Sequence, residues 1–379
     1  MSVPEIPPDE LARALAQGER VQVLDVRAPH RLANGTIETP ATARFVNMPN
    51  SQLFALTDPA ATGLDTDRPV IAVCGHGNAS RQTTRWLLSH GFAARSLTGG
   101  MAAWDRLLVP HAVPAPAGFS HLIQFDRIGK GALAYLLVAD GAALVVDPPR
   151  DASVILAEAE RVHARIIGVA DTHVHADYLS GAVALAEQFG VPYYLHPADA
   201  VYPYDGTPGT IGFERMEEGQ EIRVGKAVVR VLHTPGHTSG SVTLVTGDAA
   251  LTGDFLFVLS IGRPDLAGKT AAWAEDLWHS LERVRAEWPT SMRIFPAHYA
   301  GADERGSDGV VSVAFGDLPG RNAVHRMQDK ATFVRWVLKR EKPAPDAYRE
   351  MKAINIGLRS VSDEEAEVLE SGRNECAVM

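Results

Sequence analysis

One stiff stretch, PHAVPAPAG at 110–118, interrupts the apolar pattern of this 379-residue chain and places three prolines within seven residues. Proline fixes φ and supplies no N–H, so neither a helix nor the interior of a sheet is expected to run through it. The chain is also too long for one average domain. Two domains are therefore expected, at 1–110 and 119–320, joined by a linker at 111–118. A charged stretch at 321–379 with a mostly helical pattern follows, and its sequence assigns it no chemistry.

Before the break, apolar runs at 21–26 and 70–73 alternate with a helical pattern at 80–90, which is α/β organisation. After it, two strand patterns at 134–139 and 142–146 flank Asp140 and Gly141, a pair that favours the two-residue hairpin turn. Helices are then expected at 151–163 and 179–189, and strands at 166–169, 228–232, 241–245 and 293–295.

The composition is 46% hydrophobic and 22% charged, which is that of an ordinary globular protein. A formal charge of -10 argues against a nucleic-acid surface, although it leaves room for a local basic pocket. No run is long and apolar enough to cross a membrane, and the first residues do not resemble a secretory signal. The two cysteines, Cys74 and Cys376, lie far apart and offer no disulfide framework. Such usage fits a reducing compartment, so the cytoplasm is the expected location. Cys376, in a polar tail, reads as incidental.

Four short segments carry most of the chemistry. THVHADY at 172–178 alternates His173, His175 and Asp177 between a strand and a helix, where alternate side chains can be aimed into one cavity. Imidazole and carboxylate suit iron, zinc and manganese. HTPGHT at 233–238, TGD at 252–254 and PAH at 296–298 follow in order. His121, His163 and His196 read as ordinary buried or surface residues, and His233 as a turn residue.

These four segments, spanning about 119–301, resemble the metallo-β-lactamase superfamily, whose HxHxD, GHT, GD and AH elements fall in this order on an αββα sandwich. The resemblance implies that His173, His237 and Asp254 hold a metal. Most hydrolases of that superfamily carry HxHxDH and bind two metals, whereas this chain has Tyr178 at the last position. A phenol must lose a proton of pKa near 10 before it ligates well, so Tyr178 argues against a full second site. Two imidazoles and one carboxylate with open positions are the set of the non-haem iron oxygenases.

In this superfamily the persulfide dioxygenases use one such iron to oxidise glutathione persulfide to sulfite and glutathione. The segment TGDFLFVLSIGRPDL at 252–266 is similar to theirs. The resemblance implies one Fe(II) per chain, with zinc as the alternative. It makes His175, Asp177, Tyr178 and His298 groups that orient ligands and water. Arg263 is a candidate contact for an anionic substrate, and equally a structural partner of a neighbouring aspartate.

In the first domain, VCGHGNASR at 73–81 leads from a strand into a helix. Cys74 there faces a loop of Gly75, His76, Gly77, Asn78, Ala79, Ser80 and Arg81, where backbone N–H groups and the helix dipole favour a thiolate or persulfide. The loop resembles that of single-domain rhodaneses, the thiosulfate sulfurtransferases. LDVR at 24–27 and LTGGMAAW at 97–104 extend the likeness over nearly the whole domain, while GTIETPA at 35–41 departs from the usual GHIPGA. The resemblance implies sulfane-sulfur transfer through a Cys74 persulfide.

Together the two resemblances imply a rhodanese α/β domain followed by an αββα metallo-β-lactamase sandwich, with glutathione persulfide, thiosulfate and dioxygen as small-molecule substrates. A homodimer is compatible with the sequence. Two rival readings are a zinc thioester hydrolase of the glyoxalase II kind with a rhodanese partner domain, and a non-catalytic sulfur-relay protein.

Overall fold

The computed structural model describes residues 3–378. They form two compact units, one of residues 3–109 with Arg127–Lys130 and Ser371–Arg373, the other of Pro110–Asp126, Gly131–Glu370 and residues 374–378.

The first unit is built on a parallel sheet of β1 (Glu5–Ile6), β2 (Gln22–Asp25), β3 (Arg44–Asn47), β4 (Val70–Val73) and β5 (Ala94–Leu97), in the order β1-β5-β4-β2-β3. Helices α1 (Pro8–Ala16), α2 (Asn50–Leu53), α3 (Asn78–Ser89) and α4 (Gly100–Arg106) connect them. Strand period two explains why helices cover both faces. Val23, Ile71 and Val73 point to one side, where they pack with Leu11 and Leu15 of α1 and Met101 and Trp104 of α4. Leu24, Val70 and Ala72 point to the other, against Leu53 of α2 and Leu87 of α3. The runs at 21–26 and 70–73 are therefore buried strands, and the pattern at 80–90 is the body of α3.

The second unit stacks two sheets. The first contains β6 (Leu108–Val113), β7 (His121–Arg127), β8 (Ala132–Ala139), β9 (Ala142–Val146), β10 (Arg165–Ala170), β11 (Tyr193–Leu195) and β12 (Glu214–Arg215) in consecutive order across the sheet. The second contains β13 (Glu221–Val224), β14 (Ala227–His233), β15 (Val242–Thr246), β16 (Ala249–Gly253), β17 (Arg293–Pro296) and β18 (Val313–Ala314), again consecutively. Their inner faces share one core, in which Leu133, Tyr135, Leu137 and Leu144 meet Val229, Val231, Leu244 and Leu251.

On the outside of the first sheet, α5 (Ser153–Arg161) and α6 (Ala182–Phe189) lie against β10. Behind the second lies α7 (Thr270–Glu287), which sends Ala274, Leu277, Leu281 and Val284 into the core. The architecture is thus the expected αββα sandwich. The chain continues through α8 (Leu318–Arg321), α9 (Lys330–Leu338), α10 (Asp346–Asn355) and α11 (Asp363–Leu369).

Asp140 and Gly141 have φ of 49° and 72°, the left-handed values that a two-residue hairpin turn needs, and they join antiparallel β8 and β9. One expectation fails at the linker. Residues 111–113 belong to β6, the outermost strand of its sheet, rather than to a loose connection. An edge strand tolerates Pro110 because its missing N–H need not face a neighbour. The tail also departs from a helical extension: Gly262 and Ala377 form an antiparallel bridge, with Arg263 N donating to Cys376 O at 2.8 Å and Val378 N to Ile261 O at 3.0 Å.

Candidate metal centre and sulfur loop

Strand ends assemble the centre. His173 follows β10, His237 lies between β14 and β15, Asp254 immediately follows β16, and His298 follows β17. One such histidine is a weak signal, but ends of strands from both sheets converge here. The ligand atoms of His173, His237 and Asp254 lie within 4.8 Å of one another, and all three residues are fully buried. Asp254 Oδ2 stands 3.6 Å from His173 Nε2 and 3.4 Å from His237 Nε2. Ligands bonded at about 2.1 Å to one metal ion are separated by about 3.0–3.5 Å, so this spacing fits a shared ion.

The hydrogen bonds behind these residues set the direction of their lone pairs. His237 Nδ1 donates to the Arg263 carbonyl at 2.9 Å. The Thr172 hydroxyl donates to Asp147 and so accepts from His173 Nδ1 at 3.1 Å. Both Nε2 atoms are left as acceptors. Neither these nor Asp254 Oδ2 has a hydrogen-bond partner. Three orphaned, converging acceptors would cost several kcal/mol in a dry interior, and a cation satisfies all of them at once. Burial also keeps both rings neutral, the form that binds metal, with His173 well below the usual imidazole range and His237 at about 4.

Beside this trio, His175, Asp177 and His298 form a second group whose ligand atoms lie within 4.8 Å of one another. His175 Nδ1 and His298 Nε2 are likewise buried without a hydrogen-bond partner, while each ring turns its other nitrogen to a carboxylate. His298 Nδ1 donates to Asp254 Oδ1 at 2.6 Å, and its Nε2 lies 3.1 Å from Asp177 Oδ2. Burial disfavours the charged ring, but the two carboxylates outweigh it and raise His298 to about 10. His175 turns Nε2 to Asp147 Oδ1 at 3.1 Å; burial opposes its charge, yet Asp147 and Asp171 hold it above the usual range. Tyr178 stacks on His175 and donates its hydroxyl to the Asp147 backbone carbonyl at 3.2 Å, while burial pushes its pKa far up. Its phenol is thus neutral and spent on a carbonyl.

Several residues that no sequence motif marked hold the centre in place. Asp199 Oδ2 accepts from Val174 N and Thr238 Oγ1, each at 2.8 Å, and its Oδ1 accepts from Gly240 N at 2.8 Å. One carboxylate therefore ties the loop carrying His173 to the loop carrying His237. From α10, Lys352 Nζ donates to Val174 O at 2.9 Å, and Asn355 Nδ2 donates to His175 O and Tyr178 O, each at 2.9 Å. Asn355 Oδ1 accepts from Ser180 N at 3.0 Å, and Glu370 Oε1 from Leu179 N at 2.9 Å. The stretch at 321–379, to which the sequence assigned no chemistry, thus supplies the outer frame of the centre. Hydrophobic spacing could locate α10 but not aim its polar residues.

The same correction applies to Cys376. It is 1% exposed, and its sulfur joins Asp254 and His298 in a third group of ligand atoms within 4.8 Å. The bridge to Gly262 carries the tail inward; a side chain at Gly262 would collide with the Asp254 carbonyl. Arg263 is buried in a pair with Asp265 and donates to the Lys342 carbonyl, so its guanidinium is already occupied structurally.

In the first unit, Cys74 stands just beyond β4 and is buried. Gly77 N–H donates to its sulfur at 3.1 Å, and Ser80 Oγ lies 3.3 Å away. Gly75, His76 and Gly77 form the turn into α3; Asn78, Ala79, Ser80 and Arg81 are its first residues, His76 and Asn78 are exposed, and Arg81 pairs with Glu5. Gly100, in the LTGGMAAW segment, has φ of 61°, and a side chain there would strike the Cys74 carbonyl. Glycine at that position lets the loop close.

Two family models match the chain: a rhodanese-like domain over residues 7–107 and the metallo-β-lactamase superfamily over 128–311. A hydroxyacylglutathione hydrolase of Methylococcus capsulatus is 34% identical over 229 residues, covering 59% of this chain and 80% of the relative. A metallo-β-lactamase from Staphylococcus aureus subsp. aureus COL superposes with a TM-score of 0.55 at 29% identity, over 63% of this chain and 73% of that one. ETHE1 from Myxococcus xanthus shares the fold, with a TM-score of 0.52 at 24% identity over 62% of this chain and 99% of that one. The chain belongs to the metallo-β-lactamase superfamily and carries a rhodanese-like domain ahead of its metallo-β-lactamase fold.

Proposed function

We propose that the protein oxidises glutathione persulfide, or a similar small persulfide, with dioxygen at a single iron to give sulfite and the thiol. The balance is RSSH + O2 + H2O giving RSH, hydrogensulfite and a proton. One observation carries the reading: His173, His237 and Asp254 leave three orphaned acceptors facing one point, while Tyr178, at the position where a two-metal enzyme of this superfamily has histidine, is bonded to the Asp147 carbonyl. A bound ferrous ion would supply the redox chemistry with dioxygen that side chains lack.

The chain's own groups do the remaining work. Thr172 and the Arg263 carbonyl set the faces of His173 and His237. His298 lies between the carboxylates of Asp254 and Asp177, and a proton on its ring would lower the cost of burying them. In the first unit, the Cys74 thiolate takes the sulfane sulfur of thiosulfate to form a persulfide as the S–S bond of thiosulfate breaks and sulfite leaves, and Gly77 N–H stands ready to hold the anion.

A second reading, zinc-dependent thioester hydrolysis, draws support from the 34% identity to a hydroxyacylglutathione hydrolase and from the group of His175, Asp177 and His298. Metal analysis of anaerobically purified protein, with oxygen uptake on glutathione persulfide, separates the two. One iron per chain with oxygen uptake and sulfite release is expected. Two zinc ions per chain and no uptake would sink the dioxygenase.

A further inference from the structure

Against the metal loop lies a cavity of about 100 Å³, walled by Val174, Tyr202, Thr238, Lys269, Trp273 and Lys352 among others. Val174 follows His173 and Thr238 follows His237, so the cavity touches the centre through the residue next to each histidine. Lys352 is 3% exposed, and its ammonium donates to the Val174 carbonyl at 2.9 Å. An ammonium has three donors, so two are left beside that carbonyl.

Among the described residues no carboxylate forms an ion pair with Lys352; burial lowers its pKa, while Asp199, which also lines the cavity, and then Cys376, Asp254 and Asp177 favour its charged form across longer distances. A buried charge without a close counter-ion is costly, and an apolar residue of the same length would relieve that cost. Lys269, exposed on the same cavity, adds a second positive charge.

We propose that this cavity is a subsite for an anionic group of the substrate's thiol carrier, a carboxylate or a phosphate, with Lys352 as the buried counter-ion and Lys269 as its outer partner. The inference rests on the reading of the metal centre as the place where the substrate's sulfur reacts. Trp273 and Tyr202 give the site apolar walls, and Lys352 fixes which end of the carrier enters. The arrangement selects thiols with an acidic end over neutral ones.

Isothermal titration of the full chain with unreactive S-methyl thiols tests this directly. S-Methylglutathione carries carboxylates, S-methyl coenzyme A carries phosphates, and the S-methyl ether of N-acetylcysteamine is neutral. At least one anionic ligand should bind about tenfold or more tightly than the neutral one, as expected for a buried charge-assisted hydrogen bond. Whichever does so identifies the group.

Lys352→Gln keeps a donor for the Val174 carbonyl but removes the charge, and it should erase most of that preference. Lys352→Arg should restore part of it, and Lys269→Met should reduce it less than Lys352→Gln. Equal binding of charged and neutral ligands by the wild-type protein overturns the proposal even if a variant fails to fold. An anion preference unchanged in a folded Lys352→Gln protein also overturns it. Oxygen uptake is followed in parallel: uptake without anion preference sinks only the subsite, and anion preference without uptake sinks only the dioxygenase reading.

Discussion

At the scale of single residues, Tyr178 and Asp105 make the sharpest statements. Tyr178 spends its hydroxyl on the Asp147 carbonyl, and histidine at that position would offer imidazole beside Asp177 and His298. Tyr178→His should therefore raise the zinc content of zinc-loaded protein from about one to two per chain, as read by elemental analysis. Unchanged stoichiometry would show that something other than this phenol limits the second position.

Asp105 lies at the end of α4 with Oδ1 buried and unpartnered, and burial lifts its pKa to about 6 from 3.8. The folded state holds this proton more tightly than the unfolded one, so stability falls as pH rises from about 4 to 6 and stays lower above that window. The penalty at pH 8 is about 2–3 kcal/mol at most. Asp105→Asn should raise the unfolding midpoint at pH 8, and the gain should vanish near pH 4. Urea denaturation at the two values checks the sign.

At the scale of elements, α10 is a bracket for the metal loop. Asn355→Ala removes two donors and one acceptor from the backbone of 175–180. The expected result is a loss of about 2–3 kcal/mol of stability and a roughly 10–100-fold weaker hold on the metal, measured by competition with a chelator. An Asn355→Ala protein that retains metal as tightly as the wild type would show that the loop keeps its shape unaided.

Much of the scaffold around this bracket was legible in the sequence. A continuous apolar run marked β4, buried on both faces, and the Asp140–Gly141 pair marked the β8–β9 hairpin. The resemblance carried by four histidine- and aspartate-bearing segments named His173, His237 and Asp254, whose ligand atoms do lie together. What remained hidden has a common cause. Asp199, Lys352, Asn355 and Cys376 act by where side-chain atoms end up, far from the residues they serve in sequence. A lone aspartate in a loop or a lysine in a helix looks the same whether it is solvated or buried against a metal loop. Proline misled in the opposite way, since an edge strand accepts what an inner strand would refuse.

At the scale of the molecule, Cys74 lies in one unit and His173, His237 and Asp254 lie in the other. Cys74→Ser should abolish sulfur transfer from thiosulfate to cyanide while leaving oxygen uptake on supplied persulfide within about twofold, because no atom of Cys74 belongs to the metal centre. Loss of both activities in a folded Cys74→Ser protein would refute chemical separability.

The bracket on the metal loop also has a temporal meaning. Its hydrogen bonds join partners 175 to 191 residues apart, from Val174 and Leu179 to Lys352 and Glu370. During synthesis the three ligands emerge well before the groups that set their backbone. A nascent chain ending before α10 therefore carries His173, His237 and Asp254 without the geometry that makes them selective. Tight metal binding is therefore expected only once the C-terminal helices have docked, and a chain truncated before α10 should lose metal to a chelator that the full chain resists.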